Sequence, residues 1–401
     1  MNLDVQQLST RSTAPSLWPA VGMSFGVAIG NGFSRFGYAL LLPAMRDDLG
    51  WTYAAAGWMN TANALGYVVG AVSGYLLLRR FRPSQLFIFG LLLTVVSLTA
   101  TGFRSDLWWL TSTRVISGIG AAWVFAIGGA LVSARYHASP ELRGTATGIY
   151  FAGAGLGIVV SGILINPVLA HVGNHGWPAV WAVLGIVAAA MSIWPLAEAQ
   201  RIGGAANSTV SGVLDLHGLY PSMIAYFFFA SGYIVYITFI FAWIHIQHMS
   251  LAFGTLAWVL LGFGVIGSPF AWRRALSSWN PPVTLAASCV VTLLGILVPT
   301  ITASAFGIVI SAGLFGLGVF IAPSSIAVLT HRVMPPNQWA KTITLFTVVF
   351  SIGQAIGPVL AGWIADHSSL DSALLFGAAL LGGATFIALV RRSRISGRMA
   401  C

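Results

Sequence analysis

Charge is what this chain lacks. Only 7% of its 401 residues are Asp, Glu, Lys or Arg, against about 25% in a soluble domain. That is too little to clothe a water-soluble protein of this length, and 57% hydrophobic residues point the same way. There are two cysteines, Cys289 in an apolar run and Cys401 at the end. They exclude a disulfide framework and a cysteine-rich zinc site. No CxxC, HExxH, GxxxxGK(S/T) or GxGxxG followed by an acid occurs, so no metal and no cofactor is expected. No nucleophile–base set suggests an enzyme. Acids are especially scarce. All nine fall in loops or at helix ends, the nearest to a span being Asp215. A carboxylate proton relay within a membrane therefore has no members.

Apolar runs fill the space that charge leaves. Twelve of them, each long enough to cross a bilayer, fall at 17–42, 52–78, 84–103, 107–133, 144–169, 178–197, 219–246, 251–271, 282–302, 304–329, 342–365 and 372–390. This predicts an all-α integral membrane protein of twelve transmembrane helices. The Gly-, Ala- and Ser-rich stretch 198–217 reads as a cytoplasmic linker. It divides a six-helix bundle at 1–197 from a second at 218–401, pseudo-symmetric with the first. The first 16 residues are polar and the first run is too long for a cleavable signal, so it is expected to act as an uncleaved insertion signal.

The loops give the orientation. With the N-terminus in the cytoplasm, fifteen of the nineteen Lys and Arg lie inside, and only Arg46 and Arg104 outside. Arg35 and Arg114 fall within runs. A bias of that size places both termini in the cytoplasm, and the expected location of the multi-pass chain is the inner (plasma) membrane. It also accounts for the net charge of +10, so the expected partners are the lipid bilayer and a small molecule, with no nucleic acid.

Arg35 sits mid-run, where a charge costs at least about 2.5 kcal/mol in hydrocarbon. Asn31 and Tyr38, four before and three after it, share its face on a regular helix. Arg114, in the fourth run, lies at a similar depth, roughly 10–12 Å below the outer ends at 1.5 Å per residue. Two guanidinium groups at one depth can converge on one carboxylate or phosphate. Alternatively, Arg114 only supports helix packing. In the seventh run Tyr226, Tyr233 and Tyr236 fall near one face, and Tyr233 and Tyr236 are candidates for the neutral part of a ligand. Asn60 and Asn63 read as interhelical glue or gate lining. Trp123, Tyr150 and Gln354 are weaker candidates, and His245 is the one histidine considered for coupling to a proton.

The halves repeat weakly. An offset of 200 aligns Trp58 with Trp258, and an offset of 196 aligns Gly157 with Gly353. A duplicated six-helix unit is the pattern of a transporter built from parallel repeats. Local motifs sharpen this: Leu110-Thr-Ser-Thr-Arg114-Val-Ile-Ser-Gly118-Ile-Gly120, Gly74-Tyr-Leu-Leu-Leu-Arg79-Arg80-Phe-Arg-Pro, and Gly353-Gln-Ala-Ile-Gly357-Pro358-Val-Leu-Ala-Gly362-Trp-Ile-Ala-Asp366. With these, the chain resembles the major facilitator superfamily. The run Gly32-Phe-Ser-Arg-Phe-Gly-Tyr-Ala-Leu-Leu-Leu-Pro-Ala-Met45 resembles its bacterial YbfB/YjiJ-like branch. The resemblance implies that Gly74, Arg79 and Arg80 form the loop 2–3 motif, although the aspartate that latches the halves in that motif is Leu78 here. It implies gating or packing roles for Gly153, Gly157, Gly353, Gly357 and Pro358. The expected function is secondary active transport by alternating access, moving a small organic anion such as a carboxylate, with or without a coupling proton, as a monomer. The alternative is a drug or metabolite efflux permease of the same fold, with Arg114 structural.

Overall fold

The computed structural model describes residues 16–136, 139–202, 218–335 and 338–390. Within them are fifteen α-helices and one π-helical stretch, which make twelve passages. The first passage is α1 (Trp18–Val27), the π-helical Ala28–Phe36 and α2 (Tyr38–Leu49). The next five are α3 (Tyr53–Leu77), α4 (Pro83–Thr101), α5 (Leu107–Arg135), α6 (Pro140–Val172) and α7 (Trp177–Ile202). The second half holds α8 (Tyr220–Ile246), α9 (Leu251–Ala271), the short α10 (Arg273–Ser278), α11 (Pro281–Ile301), α12 (Ala305–Val319), α13 (Ile321–Val333), α14 (Trp339–His367) and α15 (Leu370–Val390). Among the described residues ten helical stretches, with α12 and α13 taken together as one, are long and apolar enough to cross a membrane. The other two passages are the first, which the π-helical stretch interrupts, and α3, which carries Asn60 and Asn63.

The structure departs from the apolar runs at several points. The tenth run is two helices, α12 and α13, meeting at Phe320. Helix α7 continues through 198–202, the start of the expected linker; the rest of that stretch lies outside the described residues. Helices α6 and α14 begin before their apolar runs, because a helix extends into water further than its hydrophobic part does.

Internal symmetry shows in the packing. In the first half α1 packs on α6 and α7, α3 on α5, and α4 on α5 and α7. The second half repeats this, with α8 on α14 and α15, α9 on α12, and α11 on α12 and α15. The same glycine spacing serves both copies. Gly153 and Gly157 let α6 touch backbone at Ser24 and Ala28; Gly353 and Gly357 let α14 touch backbone at Phe227 and Ser231. A Cβ at any of these four positions would run into a carbonyl, so close approach is what requires glycine here.

The chain's first passage runs from a proximal face, at Trp18, to a distal face, at Leu49. Side-chain caps start several helices on the distal face. Thr52 accepts from Ala55 N at 3.1 Å, Asp106 from Trp109 N at 2.9 Å, and Ser304 from Gly307 N at 3.0 Å. Each satisfies an amide that the helix leaves unpaired. The two halves also meet on this side, α3 along α14 and α6 along α9. Gly57 lies against the Pro358 carbonyl and Gly362 against Tyr53. Across the same seam Asn60 donates to Thr238 Oγ1 at 2.8 Å and Thr61 to the Ala355 carbonyl at 2.5 Å. Asn166 donates to Thr255 Oγ1 at 2.8 Å. Among the described residues, the hydrogen bonds joining the halves cluster in this distal part.

An acid closes the seam at its end. Both oxygens of Asp366, on α14, accept from the first amides of α3, Tyr53 N at 2.8 Å and Ala54 N at 2.9 Å. A carboxylate is favoured there twice, as a hydrogen-bond acceptor and by the helix dipole. His245 Nε2 stands 3.5 Å from Asp47 Oδ2 across the same seam. Asp366→Ala should weaken the distal contact between α3 and α14 by roughly 1 kcal/mol, about fivefold in the equilibrium constant for that contact. A cysteine at Thr61 should then label faster from the distal side than in the parent carrying the same cysteine. An unchanged labelling rate would show that the cap contributes nothing to the closure.

Candidate functional site

The first passage departs from a regular helix where its polar residues lie. The sequence Ala-Ile-Gly-Asn-Gly-Phe-Ser-Arg-Phe at 28–36 is π-helical, and Gly37 N bonds Gly32 O at 2.8 Å, five residues back. Gly32 is pressed backbone to backbone against Gly157 of α6. The wider turn changes which residues share a face, and such turns recur at functional sites. Asn31 and Arg35 stay on the face that meets the second half, while Tyr38 turns away. Its hydroxyl donates to the Ala56 carbonyl at 2.8 Å, inside the first half.

Arg35 and Arg114 have different surroundings. Both are buried, at 4% and 2% exposure. Arg114 donates to three acceptors: Nε to Met59 O at 3.2 Å, Nη2 to Asn60 Oδ1 at 3.3 Å, and a close bond from Nη1 to Ser34 O. The rings of Tyr38 and Trp181 flank it, at 5.1 and 5.8 Å from ring centroid to Cζ. Its own carbonyl accepts from Asn63 Nδ2 at 3.2 Å. Arg114 thus ties the first passage, α3 and α5 together within one half.

Arg35 reaches into the other half. Its one side-chain hydrogen bond among the described residues goes from Nη2 to Gln354 Oε1 on α14. Gln354 Nε2 in turn donates to the Tyr233 hydroxyl on α8. The Tyr67 ring lies under the guanidinium, 5.0 Å from centroid to Cζ. No described acid pairs with either arginine. Pro358 lies four residues after Gln354 and has no N–H to return to its carbonyl, so α14 is locally loosened at this point.

A cavity of about 50 Å³ lies beside Arg35, between the halves. Asn31, Arg35 and Tyr67 line one wall, and Tyr226, Tyr233 and Phe350 the other. That second wall is a stack of flat rings: Tyr226 on Phe350 at 4.8 Å and 24°, and Tyr233 on Phe350 at 5.7 Å and 18°. Among the described residues, Asn31 Oδ1 has no hydrogen-bond partner. The space admits water but not a ring, so a ligand enters by displacing side chains. A wider groove of about 670 Å³ opens on the outer surface between α1 and α7, at Phe25, Met191 and Trp194. It lies away from both arginines and faces the side that lipid would cover.

Of the residues singled out from sequence, Asn31, Arg35 and Tyr233 line the cavity; Tyr38, Arg114 and Tyr236 do not. Tyr236 instead meets Ser311 at 2.7 Å and stacks on Phe315. Asn60 and Asn63 join helices, Asn63 within the first half and Asn60 between the halves. Gly74 packs against Trp123 at the proximal side, where Arg79 lies over the Tyr75 ring; Arg80 is exposed there. Tyr67, Phe125, Thr347 and Phe350 were not anticipated. Only the period of Tyr67 relative to Asn60 and Asn63 on α3 could have signalled one of them.

Residues 27–389 match the family model described as "Uncharacterised MFS-type transporter YbfB". The chain belongs to this MFS-type transporter family. It is an integral membrane protein and not an enzyme. Among solved structures, it is similar to a bacterial homologue of the human lysosomal transporter Spinster in an inward-facing, unoccupied conformation. The TM-score is 0.69 at 16% identity, over 94% of this chain and 97% of that one. The nucleoside transporter NupG gives 0.67 at 12% identity, over 92% and 99%. These likenesses show the fold. Two curated relatives match over shorter stretches. The niacin transporter NiaP of Acinetobacter baylyi is 28% identical over 170 residues, 41% of this chain and 38% of that protein. The 3-(3-hydroxy-phenyl)propionate transporter of Escherichia coli is 25% identical over 184 residues, 45% of this chain and 44% of that protein. The matched stretch spans less than half the length of either relative.

Proposed function

We propose that this protein is a secondary active transporter for a small organic carboxylate, working by alternating access of one site between two rocking bundles. The observation that carries this is Arg35. It is a buried cation that lines the cavity between the halves, and among the described residues its side chain makes one hydrogen bond, to a neutral amide. A guanidinium has five donors in a planar fork, and among the described residues Gln354 Oε1 takes one of them. A carboxylate supplies two oxygens and the missing charge. The flat rings of Tyr226, Tyr233 and Phe350 suit a planar apolar body behind that carboxylate. Niacin and 3-(3-hydroxyphenyl)propionate each join a ring to a carboxyl group, which supports the same class of substrate.

The first bundle runs to the end of α7 at Ile202 and the second begins ahead of α8 at Tyr220. The proximal face, which carries most of the basic residues, is cytoplasmic, and the distal closure faces outward across the plasma membrane. The protein works as a monomer, since each half finds its partner within the chain. Uptake of labelled benzoate, nicotinate and 3-phenylpropionate into proteoliposomes tests the reading, and a pH gradient imposed in the same assay reads out a coupled proton. Uptake of neutral hydrophobes with exclusion of all three acids would favour the efflux permease instead.

A further inference from the structure

Gln354 occupies the donor that a carboxylate would need. Its Oε1 occupies a donor of Arg35, and its Nε2 is committed to Tyr233. The three side chains are 4%, 0% and 3% exposed. Arg35 belongs to the first half, Gln354 and Tyr233 to the second. The bond from Arg35 to Gln354 therefore spans the seam that must open and close.

A carrier that moves substrate in one net direction must return empty. In the empty state Arg35 would cross the closed intermediate as a buried cation with no acceptor, which is costly. An exchanger avoids this cost because it crosses loaded in both directions. We infer that Gln354 is a stand-in ligand: its amide oxygen takes the place of the substrate carboxylate on Arg35 during the empty return, which makes net transport possible. This rests on the carboxylate reading of the site. The substrate wins the competition because it is charged and can use both guanidinium edges, whereas an amide oxygen is neutral and single. The position suits such exchange. Pro358 leaves the Gln354 carbonyl without its usual helical partner. Gly353 and Gly357, on either side of Gln354, set α14 directly against α8 beside Tyr233.

Two transport modes separate the return stroke from the loaded stroke. Proteoliposomes holding the full chain, with potential and pH clamped to zero difference, receive whichever of benzoate, nicotinate and 3-phenylpropionate the parent carries fastest. Net uptake is read with empty vesicles, and exchange with the same unlabelled acid inside. Gln354→Leu should keep exchange near the parent rate, while net uptake falls roughly tenfold or more, the factor expected on losing one charge-assisted hydrogen bond. Gln354→Met, unbranched like glutamine, should do the same, and monodisperse elution of both variants checks folding. Gln354→Glu places a fixed carboxylate on Arg35 and should lose both modes. The inference fails if Leu and Met lower both modes equally or leave net uptake intact, or if Glu carries the acid as the parent does. If the parent itself moves none of the three acids in either mode, the carboxylate reading fails and this inference with it.

Discussion

Arg35→Ala is expected to lose carboxylate binding by about 2–5 kcal/mol, the range for truncating one partner of a desolvated charge pair. At the upper end that removes transport altogether. The variant should fold, because Arg35 gives up one side-chain hydrogen bond and a contact with the Tyr67 ring. Gln354 keeps its bond to Tyr233. Arg35→Lys restores the charge without the planar fork and should recover part of the affinity. Calorimetric titration of purified protein with benzoate, nicotinate and 3-phenylpropionate separates the three forms. Parental affinity in the alanine variant would make Arg35 a structural residue and place the site elsewhere.

Arg114→Ala should have the opposite profile, a loss of stability in place of a loss of binding. Its guanidinium serves Met59 O, Ser34 O and Asn60 Oδ1, on the first passage and α3. Removing it strands buried acceptors and opens a space between three helices. A cost on the order of 3 kcal/mol follows from the hydrogen bonds alone. The readout is thermal unfolding in detergent, followed by ligand binding on whatever fraction stays monodisperse. Unchanged stability with abolished binding would return Arg114 to the ligand site beside Arg35.

The contrast between the two arginines marks where the sequence stops being informative. Both stand out as charges in apolar runs, and run length alone placed most helices closely: the run 107–133 became Leu107–Arg135, and 251–271 became Leu251–Ala271. The partners of Arg114 were invisible because two of them are backbone carbonyls, which every residue has. The partner of Arg35 lies 319 residues away on α14, at a distance no local pattern spans. Tyr38 was placed beside Arg35 by the spacing of a regular helix, and the π-helical turn at 28–36 undid that spacing. Within that turn Gly32 meets Gly157 of α6, a contact that no local pattern shows. The glycines of α6 and α14 were readable, but the offset of 196 set Gly157 against Gly353, whereas the packing pairs Gly153 with Gly353 and Gly157 with Gly357. The absent loop 2–3 aspartate was also readable at Leu78, but the capping of α3 by Asp366 of α14 emerged only from the packing.

The carboxylate at Arg35 is most directly tested by paired uptake of an acid and its amide. Labelled benzoate and benzamide share one ring, one size and one shape, and differ in the group that Arg35 would hold. Proteoliposomes containing the parent protein should accumulate benzoate saturably, with benzamide neither carried nor able to compete. Equal uptake of the two, or competition by benzamide as strong as by unlabelled benzoate, would contradict an anion site at Arg35.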